Sequence, residues 1–278
     1  MKRPYTSVSI FLIYLIFLSC NNPQSTTEKK ADQKSTSMLI EENVSYNDDS
    51  TIMRGYIVYN DSVQGKRPAV LVVHEWWGLN DYPINRAKQL AGLGYIAMAV
   101  DMYGNRDTAA NPDEAMKFAG PFYQSPQLIK TRIDAALAKL KTYPQTDTSN
   151  IAAIGYCYGG YVVLNAAKLG EDLKGVVSFH GDLSGVAPDK NLLKAKILVC
   201  HGLDDKFVPK ESIDNFKKQM DSVGADYTFK SYPNATHAFS NPDATENGKK
   251  FNLPIAYNAE ADKNSWNDMK EFFDRIFK

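Results

Sequence analysis

Cysteine is scarce in this chain, with three in 278 residues, at positions 20, 157 and 200. Their spacing rules out the paired-cysteine patterns that hold zinc. Histidine is nearly as rare: His74, His180, His201 and His237, with no H-x-x-x-H pair. The expectation is therefore no metal and no cofactor. Charge of one sign is also lacking, since 32 Lys and Arg balance 32 Asp and Glu. No basic surface for nucleic acid is expected. No apolar run is long enough to span a bilayer; the longest extends from about Ile10 to Leu18. Internal repeats and a second linker are absent too. With 44% hydrophobic residues, one large core is the simplest count, and a monomer is expected.

The N-terminus reads separately. Lys2 and Arg3, the apolar run and Ser19-Cys20 have the layout of a secretory signal over residues 1–19. A small residue before cysteine resembles the lipobox of bacterial lipoproteins, although Phe17 stands where leucine is usual. The resemblance implies cleavage before Cys20, acylation of its sulfur, export and attachment to a bacterial membrane on its periplasmic or outer side. Residues 20–38 offer little to bury and read as a disordered, lipid-anchored linker. A single domain is expected over 39–278.

Along that domain, apolar strand patterns alternate with amphipathic helical ones. "RPAVLVV", "YIAMAV", "IAAIGY", "GVVSF" and "KILVC" are continuous apolar runs, as strands buried on both faces require. The alternation predicts an α/β fold, with a mostly parallel sheet of about eight strands and helices on both faces. Ligands bind such sheets beyond the carboxyl ends of the strands. His74-Glu75, Asp101, Cys157, His180, His201, Asp204-Asp205 and His237 all fall there. Residues 104–127 form a long connection suited to a pocket wall or lid.

The segment Gly155-Tyr156-Cys157-Tyr158-Gly159 is a strand-to-helix elbow with cysteine at its apex. The apex side chain is held over the sheet edge, and the helix N-terminus favours a thiolate there. "HGLDDKFVP" supplies Asp205 as the acid, preferred over Asp204 for its distance from Val208-Pro209, and "THAF" supplies His237. Nucleophile, acid, histidine is the chain order of α/β-hydrolases. His237 would take the proton from Cys157 while Asp205 holds the imidazole. Cys200 ends a core strand and is expected to be inert. Sequential parallel strands put it about 10 Å from Cys157, too far for a disulfide.

From about residue 43 onward the chain resembles the dienelactone hydrolase family. The likeness rests on "HEWWGLN", "DMYG", "GYCYGG", "HGLDDKFVP" and "THAF", in that order. The resemblance implies the α/β-hydrolase fold and hydrolysis of small ester or lactone substrates through a thioester. It implies that Glu75 contacts the resting thiol, and that the N–H groups of Trp76 and Tyr158 form the oxyanion hole. Two arginines grip the substrate carboxylate in that family. Asn105 and Asn241 stand at the matching positions, with Arg106 adjacent. Trp77, Tyr103, Asn105 and Phe239 are expected to line the pocket. Peptidase or carbohydrate-esterase activity on the same scaffold, or a tethered binding or redox-sensing domain, are the alternatives.

Overall fold

The computed structural model describes residue 1, residues 39–48 and residues 50–278. Cys20, the expected lipidation site, and the expected linker lie outside the described residues, as does the expected signal segment beyond Met1. Among the described residues no helix is long and apolar enough to cross a membrane.

Strand β1 (Leu39–Asn47) pairs antiparallel with β2 (Ile52–Asn60). Asp48 Oδ1 makes the turn between them, accepting the N–H groups of Ser50 and Thr51 at 2.9 and 2.8 Å. The alternation then runs β3 (Arg67–Val73), α1 (Asp81–Gly92), β4 (Ile96–Val100), α2 (Pro112–Gln124), α3 (Pro126–Lys141), β5 (Thr146–Tyr156) and α4 (Tyr158–Lys168). It continues through β6 (Gly175–Phe179), β7 (Lys196–Gly202), α5 (Lys210–Val223), β8 (Tyr227–Tyr232), α6 (Ala244–Phe251) and α7 (Ala259–Ile276).

The eight strands form one sheet in the order β1-β2-β4-β3-β5-β6-β7-β8. From β4 to β8 all neighbours are parallel. Side chains alternate between the faces. Ala69, Leu71 and Val73 join a core with α3 and α4, while Val70 and Val72 join a second core with α1 and α7. Both faces are therefore dry, and burying each large aliphatic side chain contributes about 1.5–3 kcal/mol.

Register brings the strand ends together. Val73 lies beside Gly155, Tyr156 beside Phe179, and Phe179 beside Cys200. The residues after β3, β5, β6 and β7 thus emerge along one edge of the sheet. Cys157 and Cys200 are both free thiols, and Cys200 is fully buried. Burial pushes its thiol up to about 12, and the Tyr232 hydroxyl donates to its sulfur.

Two elements differ from the sequence reading. Strand β5 starts at Thr146, ahead of its apolar run. Helix α6 was not expected: it has eight residues with Gly248 inside, a composition that propensity disfavours. Packing selects it, since a Cβ at Gly248 would lie 2.4 Å from the Ile255 carbonyl.

Candidate active site

Cys157 occupies the turn between β5 and α4 with φ 54° and ψ −116°, a conformation that costs a non-glycine residue energy. The surroundings enforce it. A Cβ at Gly155 would lie 2.0 Å from the Gly159 carbonyl oxygen, and one at Gly159 would lie 2.3 Å from that of Val73. Only glycine permits so tight an elbow against β3. The Cys157 N–H donates to both the Phe179 carbonyl (3.0 Å) and His180 Nδ1 (3.1 Å). His180 Nε2 in turn meets Ser240 Oγ at 2.7 Å, and Ser240 Oγ meets the Tyr82 hydroxyl at 2.8 Å. Burial, with the nearby charges of His237 and Arg86, holds His180 well below the ordinary histidine range. A neutral ring can accept at Nδ1, so its proton sits on Nε2 and is given to Ser240.

His237 follows β8 in a loop bridged to Ile255. Its Nδ1 lies 2.9 Å from Asp205 Oδ2, while Asp205 Oδ1 accepts the Phe207 N–H at 2.8 Å. Both residues are buried, and Asp204 is exposed. Burial works against protonating His237. The charge of the Cys157 sulfur, with the hydrogen bonds to Asp205 and Cys157, outweighs it and holds the imidazole well above its ordinary range. With Nδ1 on Asp205, Nε2 is the nitrogen left for the sulfur. The structure thus brings Cys157, His237 and Asp205 together.

Glu75 is buried at the same edge. Burial pushes its carboxyl up to about 7, opposed by a hydrogen bond from Asn241 Nδ2 at 2.5 Å. That bond is with Asn241 and not with the thiol, so Asn241 holds Glu75. Tyr158 is the first residue of α4, and its N–H has no partner inside the helix. The Trp76 N–H meets no backbone carbonyl among the described residues. Trp76 and Tyr158 line a cavity of about 490 Å³ together with Cys157, His237 and Glu75. Trp77, Met116 and Tyr123 of α2, Phe207 and Ile255 line it too. The 104–127 connection therefore contributes α2 to the wall.

Three expected pocket residues lie elsewhere. Asn105 and Arg106 take consecutive left-handed conformations (φ 50° and 61°), and Asn105 N–H bonds to the Ile52 carbonyl. Asn105 consequently borders a separate shallow cleft with Arg54. Arg106 spends its guanidinium on Asn43 and the Leu79 carbonyl, so it cannot stand in for a substrate-gripping arginine. Phe239 comes after Ala238, whose φ is 59°, and packs fully buried against His180 and Tyr232. Tyr103 backs the wall without lining it: its hydroxyl donates to the Trp76 carbonyl at 3.0 Å and its ring meets Tyr158. Sequence reasoning missed Asp182 and Ile255, which line the cavity from loops without a recognisable pattern, and Phe207, which sits inside the "HGLDDKFVP" motif but was not assigned to the pocket.

The remaining histidines are structural. His74 Nε2 accepts the Met102 N–H, and His201 packs on Phe229. Among the described residues no three His, Cys, Asp or Glu side chains converge as metal ligands.

In sequence, the chain is similar to a Methylorubrum extorquens protein named "Putative carboxymethylenebutenolidase", 28% identical over 75% of this chain and 72% of that one. In structure, it is similar to a dienelactone hydrolase-like promiscuous phosphotriesterase from metagenomic libraries. Identity there is 33%, the TM-score is 0.81, and the match covers 86% of this chain and 98% of that one. An acylaminoacyl peptidase of Pyrococcus horikoshii, at 16% identity and a TM-score of 0.58 over 74% of this chain and 39% of that one, shares the α/β-hydrolase fold alone. The dienelactone hydrolase family profile matches residues 53–277. The chain belongs to the dienelactone hydrolase family.

Proposed function

We propose that this protein hydrolyses small ester or lactone bonds through Cys157, with His237 and Asp205 completing a triad. The observation carrying this reading is the Asp205–His237 hydrogen bond, with the Cys157 sulfur on the other side of the imidazole. The sulfur attacks the carbonyl carbon, and the oxygen takes up the electron pair. The N–H groups of Trp76 and Tyr158 hold that oxyanion; losing one such donor typically costs about 3–4 kcal/mol. Collapse expels the alcohol, protonated by His237, and leaves a thioester on Cys157. Water, deprotonated by His237, then attacks the thioester and releases the acid and the thiol. Glu75, held by Asn241, lines the same cavity and takes no step in this scheme. The test is turnover of aryl acetates and lactones by the wild type and by Cys157→Ala. Equal rates would end the proposal.

The structural similarity to a promiscuous phosphotriesterase favours a second reaction in the same cavity. An uncharged phosphotriester also presents an electrophile whose oxygen gains charge on attack. Paraoxon turnover that disappears in Cys157→Ala would support it.

The N-terminal residues support export and tethering through Cys20, with the membrane as the partner. Labelled palmitate incorporated by cells expressing the wild type but not Cys20→Ser would support this, and equal labelling would reject it.

A further inference from the structure

The cavity beside Cys157 is unevenly charged. Among the described residues its lining includes two carboxyl side chains, Glu75 and Asp182, and no lysine or arginine. The Cys157–His237 pair is neutral overall wherever its proton sits. Glu75, pushed up to about 7, is only partly ionised near neutral pH. Asp182, just beyond β6, is the remaining charged group on the wall and is half-buried. Ser184 fixes it from below, donating its N–H to Oδ1 and its hydroxyl to Oδ2, both at 2.9 Å. Each oxygen keeps a lone pair for a ligand.

The field of Asp182 acts on another group of the cavity wall. It adds to burial and to the Cys157 sulfur in raising Tyr123, which lines the cavity and packs on Tyr161 and Tyr158. Lys168 also feels Asp182; burial pulls its ammonium down to about 8, which leaves it largely protonated at neutral pH, but it does not line the cavity. Arg106 spends its guanidinium on Asn43 and the Leu79 carbonyl and borders another cleft, so it brings no positive charge to this wall.

We propose that Asp182 is a charge filter in the wall of the Cys157 cavity, disfavouring substrates that carry a carboxylate and favouring uncharged or ammonium-bearing ones. This rests on the hydrolase reading above and names the substrate class of that site.

Two measurements test it. The first needs no turnover. Methanethiosulfonates of matched size, bearing a trimethylammonium or a sulfonate, are reacted with the full-length protein. The thiolate attacks the sulfenyl sulfur, forms a disulfide and expels methanesulfinate. The rate is read at the peptide containing Cys157. The cation-to-anion rate ratio should fall about fivefold in Asp182→Asn and further in Asp182→Lys. It should also shrink in 1 M salt, where screening acts within about 3 Å. Each ratio is taken within one variant, so a general loss of reactivity cancels. A ratio unchanged in Asp182→Asn would overturn the proposal. The second compares kcat/KM for 4-nitrophenyl butyrate and 4-nitrophenyl hemiglutarate. The wild type should prefer the butyrate, and Asp182→Asn should narrow the gap about fivefold; no preference in the wild type would overturn the filter. Failure to hydrolyse either ester would overturn the hydrolase reading instead, and the thiol ratios would still decide the role of Asp182.

Discussion

The His180 ring accepts the backbone N–H of Cys157 at 3.1 Å, so a side chain from the end of β6 grips the apex of the β5–α4 elbow. The Cys157 N–H is shared with the Phe179 carbonyl, and His180 therefore tunes the elbow without making it alone. Ser240 fixes the tautomer from the other side of the ring.

His180→Leu removes that acceptor. We expect kcat to fall about tenfold with KM little changed, and stability to fall by about 1–2 kcal/mol. His180→Gln should recover part of kcat, because its amide oxygen can accept in place of Nδ1. Steady-state kinetics on an aryl ester would check this; equal kcat in the wild type and His180→Leu would show that the contact positions nothing.

The two adjacent aspartates separate cleanly. Asp205 is buried against His237, and Asp204 is exposed. Asp205→Asn should lower kcat by about three to four orders of magnitude, because an amide favours the wrong imidazole tautomer and does not stabilise the charged ring. Asp204→Asn should behave as the wild type. A comparable loss in both variants would dissolve the distinction.

Much of this arrangement was legible because it is written in local patterns. Apolar runs between amphipathic stretches marked the strands, and G-x-C-x-G marked the elbow. The distance from Asp205 to Val208-Pro209 selected it over Asp204. What was not legible depends on where a loop turns. Of the left-handed residues Asn105, Arg106 and Ala238, only asparagine is favoured in that conformation, so nothing in the identity of the other two announces a reversal of direction. Each of the three redirects a side chain that alignment alone would aim at the pocket. Asp182 and Ile255 reach the cavity through packing between segments far apart in the chain, which no window of sequence contains.

Glu75 links the site to pH. Its folded value, about 7, is raised from an ordinary 4.5 by burial. Between those values the folded protein binds more protons than the unfolded chain, so stability falls as pH rises from about 4.5 to 7 and is flat beyond. The shift corresponds to a loss of about 3 kcal/mol at most. Glu75→Gln removes the titration, so its stability should vary less over that window and should equal or exceed the wild type at pH 8. Urea denaturation at several pH values measures this; parallel curves for the two proteins would mean that Glu75 is not the group responsible.

Asp101 shows what holds the cavity wall from behind. It is fully buried at the end of β4, and it accepts four backbone N–H groups. Oδ1 takes those of Tyr103 and Gly104 at 3.1 and 2.9 Å, and Oδ2 those of Arg54 and Arg106 at 2.8 and 2.7 Å. These bonds pay for the left-handed turns that follow, and they fix Tyr103, whose hydroxyl supports the Trp76 carbonyl. Asp101→Ala strands four backbone donors, that of Gly104 buried and the other three partly buried, and should cost about 2–4 kcal/mol. Asp101→Asn keeps one acceptor oxygen but sets an NH₂ against two of the donors, so it should recover only part of that loss. Both variants should lose kcat as well as stability, since the turn that seats Tyr103 beside Trp76 loosens. Urea midpoints paired with kcat at a temperature where each variant stays folded would separate the two effects. A destabilised Asp101→Ala with wild-type kcat would confine Asp101 to the fold and sever its link to the site.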